Sequence, residues 1–133
     1  GDEPVEVITG ADYYYKNGRH YILYDEMIPE SGSEVKNIIK IGRGRVDVIR
    51  RGPQSTHMVF EPDKKNMTYY TTPYGNMMIG INTTNIDCRE DEMNIEAKIQ
   101  YALDINESHV SDCEITVNIT SKEDKSFRLL GKN

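Results

Sequence analysis

The side chains that commonly perform acid–base or nucleophilic chemistry are few in this chain and scattered along it. The histidines are His20, His57 and His109, and the two cysteines are Cys88 and Cys113. No GxSxG, HExxH, CxxC, P-loop or GxGxxG motif occurs. Two thiols by themselves make neither a metal site nor a disulfide framework. We therefore expect a protein that is not an enzyme and that carries no metal or other cofactor.

Two opposite charges stand out because of their positions in alternating segments. Val46 and Val48 share the parity that should be buried, and Arg50 follows on the same side. By the same rule Glu26 shares a face with Tyr24, and that face points inward unless the other parity of the segment is the buried one. A lone buried ion is unfavourable, so one interpretation is a Glu26–Arg50 pair that closes one end of the fold. The alternatives are an anionic ligand on the Arg50 guanidinium, or two solvated side chains at a rim.

Four further side chains are candidates for lining a ligand site. A buried tyrosine needs a polar partner for its hydroxyl, and an inward methionine adapts its shape to a cavity. The same side chains could equally fill a core. The full candidate set for binding a small molecule is Tyr24, Glu26, Arg50, Tyr101, Met58 and Met77.

Apolar residues recur at every second position over long stretches of the chain. Between residues 93 and 105 the odd positions are Met, Ile, Ala, Ile, Tyr, Leu and Ile, whereas the even positions are mostly polar. A strand with one buried face requires this alternation, and a helix would spread the same residues around its circumference. We predict strands over residues 5–9, 19–27, 36–41, 44–51, 56–61, 67–72, 77–82, 93–105 and 113–119.

Turn-forming residues separate these segments and indicate the fold class. Asn17-Gly18 suits a tight hairpin, and the prolines fit better between strands than within them. About nine hairpin-linked strands must avoid long exposed edges, which closure into a barrel achieves most fully. The predicted fold is an all-β, antiparallel, up-and-down barrel of about eight or nine strands, with a two-sheet sandwich as the second choice.

Length and charge restrict the class of protein further. The chain has 133 residues, of which 16 are basic and 22 acidic, giving a net charge of −6. Its mean hydropathy is −0.65, and its longest apolar runs are far too short to span a membrane. We predict one soluble domain over residues 1–133, with a flexible tail at 121–133, that binds neither nucleic acid nor membranes.

Two local clusters depart from this acidic background. Tyr13, Tyr14 and Tyr15 are consecutive, so no strand could bury all of them, and we expect a partly covered loop or a partner surface. The basic cluster could bind phosphate or an acidic partner, although charges that discourage strand pairing are the plainer interpretation. It consists of Lys40, Arg43, Arg45, Arg50 and Arg51.

Several short motifs occur in a distinctive order along residues 5–120. They are VITG at 7–10, YYYKNG at 13–18, YILYDE at 21–26, RRG at 50–52, THMVFE at 56–61, YTTPYG at 70–75 and the alternating pair that ends at 113–119. In this order they resemble the YwiB-like family of bacterial proteins. The resemblance implies a calycin-like, lipocalin-type barrel in a small cytoplasmic protein with no established activity, and it supplies no catalytic residues.

Two features depart from that family. Its members carry a further strand ahead of residues 5–9, and its absence here would leave a sheet edge open to a neighbouring strand or to homodimerisation. The tail at 121–133 extends past the usual end, and its Phe127, Leu129 and Leu130 are candidates for covering that gap. The expected function is enclosure of a small molecule inside the barrel or at its mouth. The alternative is an interaction or accessory module that uses the open edge, the tyrosine run and the basic cluster.

Overall fold

The computed structural model describes residues 6–121, which form strands, turns and loops. The strands are β1 (Asp12–Lys16), β2 (Arg19–Ile28), β3 (Ser33–Gly42), β4 (Arg45–Arg51), β5 (Thr56–Phe60), β6 (Lys64–Thr72), β7 (Gly75–Glu90), β8 (Asn94–Ile105) and β9 (Ser108–Thr120). The predicted all-β fold is therefore confirmed. Within the described residues, no helix is long and apolar enough to cross a membrane.

The strands are arranged in two antiparallel sheets. β1 to β5 form a five-stranded sheet in sequence order, here called sheet A, and β6 to β9 form a four-stranded sheet B. β1 turns into β2 through Asn17 and Gly18, whose φ angles are 53° and 76°. Positive φ at both positions is what a two-residue hairpin turn of type I′ requires, and Asn-Gly is a favoured pair for it. This turn sets the register in which Lys16 lies opposite Arg19.

The inner faces of the two sheets share one hydrophobic core. β8 buries Ile95, Ala97 and Ile99, and the apolar side chains of β9 at 115, 117 and 119 pack against the same cluster. Phe60 is fully buried, and its ring centroid lies 4.9 Å from that of Tyr101. This contact joins β5 of sheet A to β8 of sheet B. The predicted inward direction of the odd-numbered side chains in the last two strands is confirmed.

Sheets A and B meet along one side of the core. There β5 passes into β6 through a short turn, and the backbone N–H of Asp63 donates to the carbonyl of Thr83 at 2.9 Å. On the opposite side, β1 and β9 are the outermost strands of the described chain and do not pair. Nine strands that alternate in direction leave β1 and β9 pointing the same way, so these edges cannot form an antiparallel pair with each other. The described sheets are thus not closed into a continuous barrel.

Some local predictions are wrong. Residues 6–9 form no strand, and Val5 lies outside the described residues. The tyrosine run forms strand β1 rather than a loop, because aromatic residues favour extended structure and the Asn-Gly turn pairs them with β2. The longest strand is β7, with 16 residues, which continues past Asn82 through a bulge. Met93 is exposed because it lies in the turn between β7 and β8.

The predicted tail lies almost wholly outside the described residues, which end at Ser121. The expected cover by Phe127, Leu129 and Leu130 therefore falls outside them as well. The candidate site depends on the inner faces and on the turns that join the strands.

Candidate ligand-binding site

Four turns come together at one end of the open barrel, here called the mouth. They are residues 29–32, 52–55, 73–74 and 106–107, each of which follows an even-numbered strand. Because consecutive strands reverse direction, these turns share one end of the molecule. The side chain of Gln54 connects the two sheets there, since its amide donates to the carbonyl of Thr71 at 3.1 Å and its oxygen accepts from the Tyr70 hydroxyl.

A polar cluster lies on the inner face of sheet A at the mouth. Tyr24, Asn37 and Arg50 are cross-strand neighbours on β2, β3 and β4. Glu26 Oε1 accepts a hydrogen bond from Asn37 Nδ2 at 2.9 Å and lies 3.4 Å from Arg50 Nη2. Of the alternatives that the sequence left open, the Glu26–Arg50 pair is therefore present, although the described sheets stay open at their edges. These four residues are called the mouth cluster.

Burial differs sharply within the mouth cluster. Asn37 is only 3% exposed, whereas the side chain of Arg50 is 47% exposed and that of Glu26 is 32% exposed. Burial and the charge of Glu26 raise the pKa of Tyr24 above its usual value, although Arg50 acts in the opposite direction. The Tyr24 hydroxyl consequently stays protonated near neutral pH and remains a hydrogen-bond donor. The cluster thus combines a fixed carboxylate and amide with an accessible guanidinium.

The remaining predicted residues extend from the mouth into the core. Met77 lies near the start of β7, at the mouth, and is half-buried. Met58 pairs with Val48 one row further inside and packs on the core, where Tyr101 lies against Phe60. Burial, reinforced by the neighbouring Cys113, raises the pKa of Tyr101 to about 12. The structure therefore brings Tyr24, Glu26 and Arg50 together, and places Met58 and Tyr101 in the core rather than in the cluster.

A separate open depression of about 400 Å³ lies at the other end of the molecule. None of the six predicted residues lines it. Its lining residues are Arg89, Glu90, Asp91, Asn94, Ile95, Glu96, Asn118, Ile119 and Thr120. Glu90 Oε2 also lies 2.6 Å from His20 Nε2, and His20 Nδ1 lies 2.8 Å from the Tyr13 hydroxyl. This chain of contacts connects β1 and β2 to the end of β7.

The outer face of sheet A contains a buried carboxylate that sequence reasoning missed. The Asp47 side chain is only 3% exposed and accepts hydrogen bonds from Arg45 Nε at 2.8 Å and Nη2 at 3.0 Å. His57 Nε2 lies 2.7 Å from Asp47 Oδ2. Burial raises the pKa of Asp47, but the hydrogen bonds from Arg45 and His57 outweigh it and hold the pKa below its usual value. Arg45 lies two residues before Asp47 on the same face of β4, whereas His57 reaches Asp47 through the pairing of β4 with β5.

The basic residues between positions 40 and 51 do not form a single patch. Arg45 binds Asp47 and Arg50 pairs with Glu26, at opposite ends of β4. The ammonium of Lys40 lies 5.5 Å from the centre of the Tyr21 ring. Lys40, Arg45 and Arg50 thus contact three different partners. β4 is a central strand rather than an edge, so its charges do not serve to discourage pairing at an edge.

Other groups able to bind a metal or react as nucleophiles are dispersed. In residues 6–121, no group of three or more His, Cys, Asp or Glu side chains is placed to hold a metal ion. Both cysteines are free thiols, and Cys88 is exposed while Cys113 is half-buried. Asn37 is the mouth residue that the sequence analysis overlooked. The alternation along β3 could have identified Asn37, because it is the polar residue in the inward-facing series of Val35, Ile39 and Ile41.

Comparison with known proteins agrees with this architecture. The chain is 26% identical over 116 residues to the uncharacterized beta-barrel protein YwiB of Bacillus subtilis (strain 168), covering 86% of this chain and 80% of that protein. A crystal structure of the ywiB protein from Bacillus subtilis matches with a TM-score of 0.63 at 27% identity, covering 92% of this chain and 84% of that one. The family described as "Domain of unknown function (DUF1934)" matches residues 1–117. This chain, an all-β protein with the predicted kinship to YwiB, belongs to the DUF1934 family.

Proposed function

We propose that this protein is a non-enzymatic binding protein that takes a small molecule with an anionic group at the mouth of a calycin-like barrel. The observation that carries the proposal is the half-exposed Arg50 guanidinium on the concave side of sheet A. Among the described residues its recorded partner is Glu26, at 3.4 Å. A guanidinium has five N–H donors in a planar fork, so most of its donor capacity is left for a carboxylate or phosphate.

The surroundings of Arg50 support recognition rather than simple solvation. Glu26 is held by buried Asn37, so the carboxylate fixes the position of the guanidinium before any ligand arrives. The protonated Tyr24 hydroxyl offers a further donor on the same face. Small-molecule sites combine a few convergent polar groups with apolar walls. Met77 of sheet B supplies apolar surface at the mouth, and Met58 of sheet A supplies it one row further inside.

The two thiols support the remaining part of the proposal. Cys88 and Cys113 are both free, and free thiols suit a reducing compartment better than an oxidising one. We therefore include a cytoplasmic location in the proposed function.

Native mass spectrometry of the full chain, purified from its own host, tests this function. We expect a retained molecule of low mass with an anionic group, at one copy per chain. The Arg50→Met variant should lose it, whereas Arg51→Met should retain it because Arg51 is exposed on the opposite face of the same strand. Equal retention by the two variants would place the ligand elsewhere, and a wild-type chain without any ligand would argue against the proposal.

A second candidate function is protein interaction through the open edge of sheet A. The specific observation is that β1, with three consecutive exposed tyrosines, pairs with β2 on one side and borders no described strand on the other. An edge of this kind accepts an additional strand through backbone hydrogen bonds. Substitution of Tyr14 by Asp should then abolish capture of the partner while leaving the ligand at Arg50 in place.

A further inference from the structure

The sequence of β1 is suited to antiparallel pairing with a second copy of the same strand. Its five residues read Asp-Tyr-Tyr-Tyr-Lys from Asp12 to Lys16, and all five are exposed. If two such strands pair antiparallel with Tyr14 opposite Tyr14, Asp12 lies opposite Lys16 at both ends and Tyr13 lies opposite Tyr15. Opposite charges and aromatic pairs directly across an antiparallel ladder are both stabilising.

We propose that a second copy of this chain binds along β1 in this register and forms a two-fold symmetric dimer. The proposal specifies the partner for the interaction candidate and rests on it, but it is independent of the ligand at Arg50. Directly opposed residues in a sheet project to the same face, and the register satisfies this condition. Asp12, Tyr14 and Lys16 share the outer face, whereas Tyr13 and Tyr15 share the inner one.

The charges at both ends of β1 are available for this pairing. Neither Asp12 nor Lys16 forms an ion pair with another described residue. A two-fold axis through Tyr14 would give each of them an opposite charge on the partner. The contact is isologous, so it closes at two copies and does not propagate into a fibre.

The outer face of sheet A is already ordered to extend the contact. The ring of Tyr14 stacks on that of Tyr21 at 4.7 Å with an angle of 8°, and Lys40 lies over the same Tyr21 ring. Because these rings are held before association, less side-chain entropy is lost when a second Tyr14 approaches. Two copies would form a continuous row of tyrosines across the dimer axis, with Lys40 at each end.

The opposite edge, β9, lacks this complementarity. Antiparallel self-pairing about its midpoint would place Glu114 directly opposite Glu114 of the second copy. Like charges in that position are destabilising. The pattern therefore favours β1 as the edge used between two copies.

Charge exchange at the two ends of β1 provides the test, measured by sedimentation velocity on the full chain over a range of concentrations. Asp12→Lys and Lys16→Asp each convert both attractive pairs into repulsive ones, and each should raise the dimer dissociation constant at least about tenfold. The double variant Asp12→Lys/Lys16→Asp restores opposite charges and should dimerise like the wild type. Lys98→Asp, an exposed charge change in the middle of sheet B, is the matched control and should leave the dissociation constant unchanged.

Mixing the two single variants gives the sharpest result. Each variant is repelled by its own copies, because positions 12 and 16 then carry the same charge. Between the two variants, every position 12 lies opposite an unlike charge at position 16, so an equimolar mixture should form heterodimers. A wild-type chain that stays monomeric at every concentration overturns the proposal, as does a double variant that fails to recover. If the monomeric wild type instead captures a different host protein that Tyr14→Asp does not, self-pairing is wrong and the general interaction candidate stands.

Discussion

Replacing the buried carboxylate of Asp47 by an amide is the most direct test of how sheet A is stabilised. The Asp47→Asn side chain has nearly the same shape, but it loses the charge that binds Arg45 and His57. Removing one partner of a buried ion pair costs about 3–5 kcal/mol. Arg45 and His57 are 38% and 49% exposed and can regain water, so we expect a smaller loss of about 2–3 kcal/mol in the free energy of unfolding.

Urea unfolding at pH 7, followed by circular dichroism, measures this loss. With a slope of about 1–3 kcal/mol per molar urea, the midpoint should fall by about 1–3 M. Asp112→Asn is the matched control, because Asp112 pairs with His109 in the same way but is exposed. Its midpoint should be almost unchanged. If Asp47→Asn and Asp112→Asn have the same small effect, the contacts of Asp47 with Arg45 and His57 do not stabilise the fold.

Three further predictions concern the same framework. The pKa of Asp47 in the folded protein lies below its unfolded value of about 3.9. The contribution of Asp47 to stability is therefore present above that pH and is lost as the pH falls. The urea midpoints of wild type and Asp47→Asn should consequently converge below about pH 4. Thr83→Val should increase stability by about 1 kcal/mol in thermal or urea unfolding, since its hydroxyl is buried without a hydrogen-bond partner among the described residues. The pKa of Tyr101 is raised to about 12, so its hydroxyl should ionise near that pH in an absorbance titration. Its contribution to stability should disappear as the pH rises from about 10 towards 12, and Tyr101→Phe should abolish this loss.

The alternation of side chains predicted much of the fold, because it depends on local geometry alone. A strand points successive side chains to opposite faces, so a run such as that of β8 specifies both the strand and its buried side. The same reasoning placed Glu26 and Arg50 on one face, where they pair at 3.4 Å. Residue type alone identified the Asn17-Gly18 turn, because the turn requires positive φ and few residues tolerate it.

Alternation of side chains could not decide whether residues 6–9 or residues 12–16 form the first strand. Both segments have extended character, but the two-residue Asn17-Gly18 turn pairs only the residues directly before it with β2. The side chains of β1 are all exposed, so they show no alternation in burial. Backbone pairing, rather than burial, thus defines this edge strand.

Contacts between polar residues of different strands were decided by tertiary structure. Arg45 is a local neighbour of Asp47 on the same face of β4, but His57 covers Asp47 only because β5 pairs with β4. Asn37 and the contact of His20 with Glu90 depend in the same way on strands distant in sequence. The sequence by itself determined which faces of the strands are apolar, since that property repeats along each strand. Which polar groups meet across strands was settled only by the register between strands, because no local pattern identifies a neighbour on another strand.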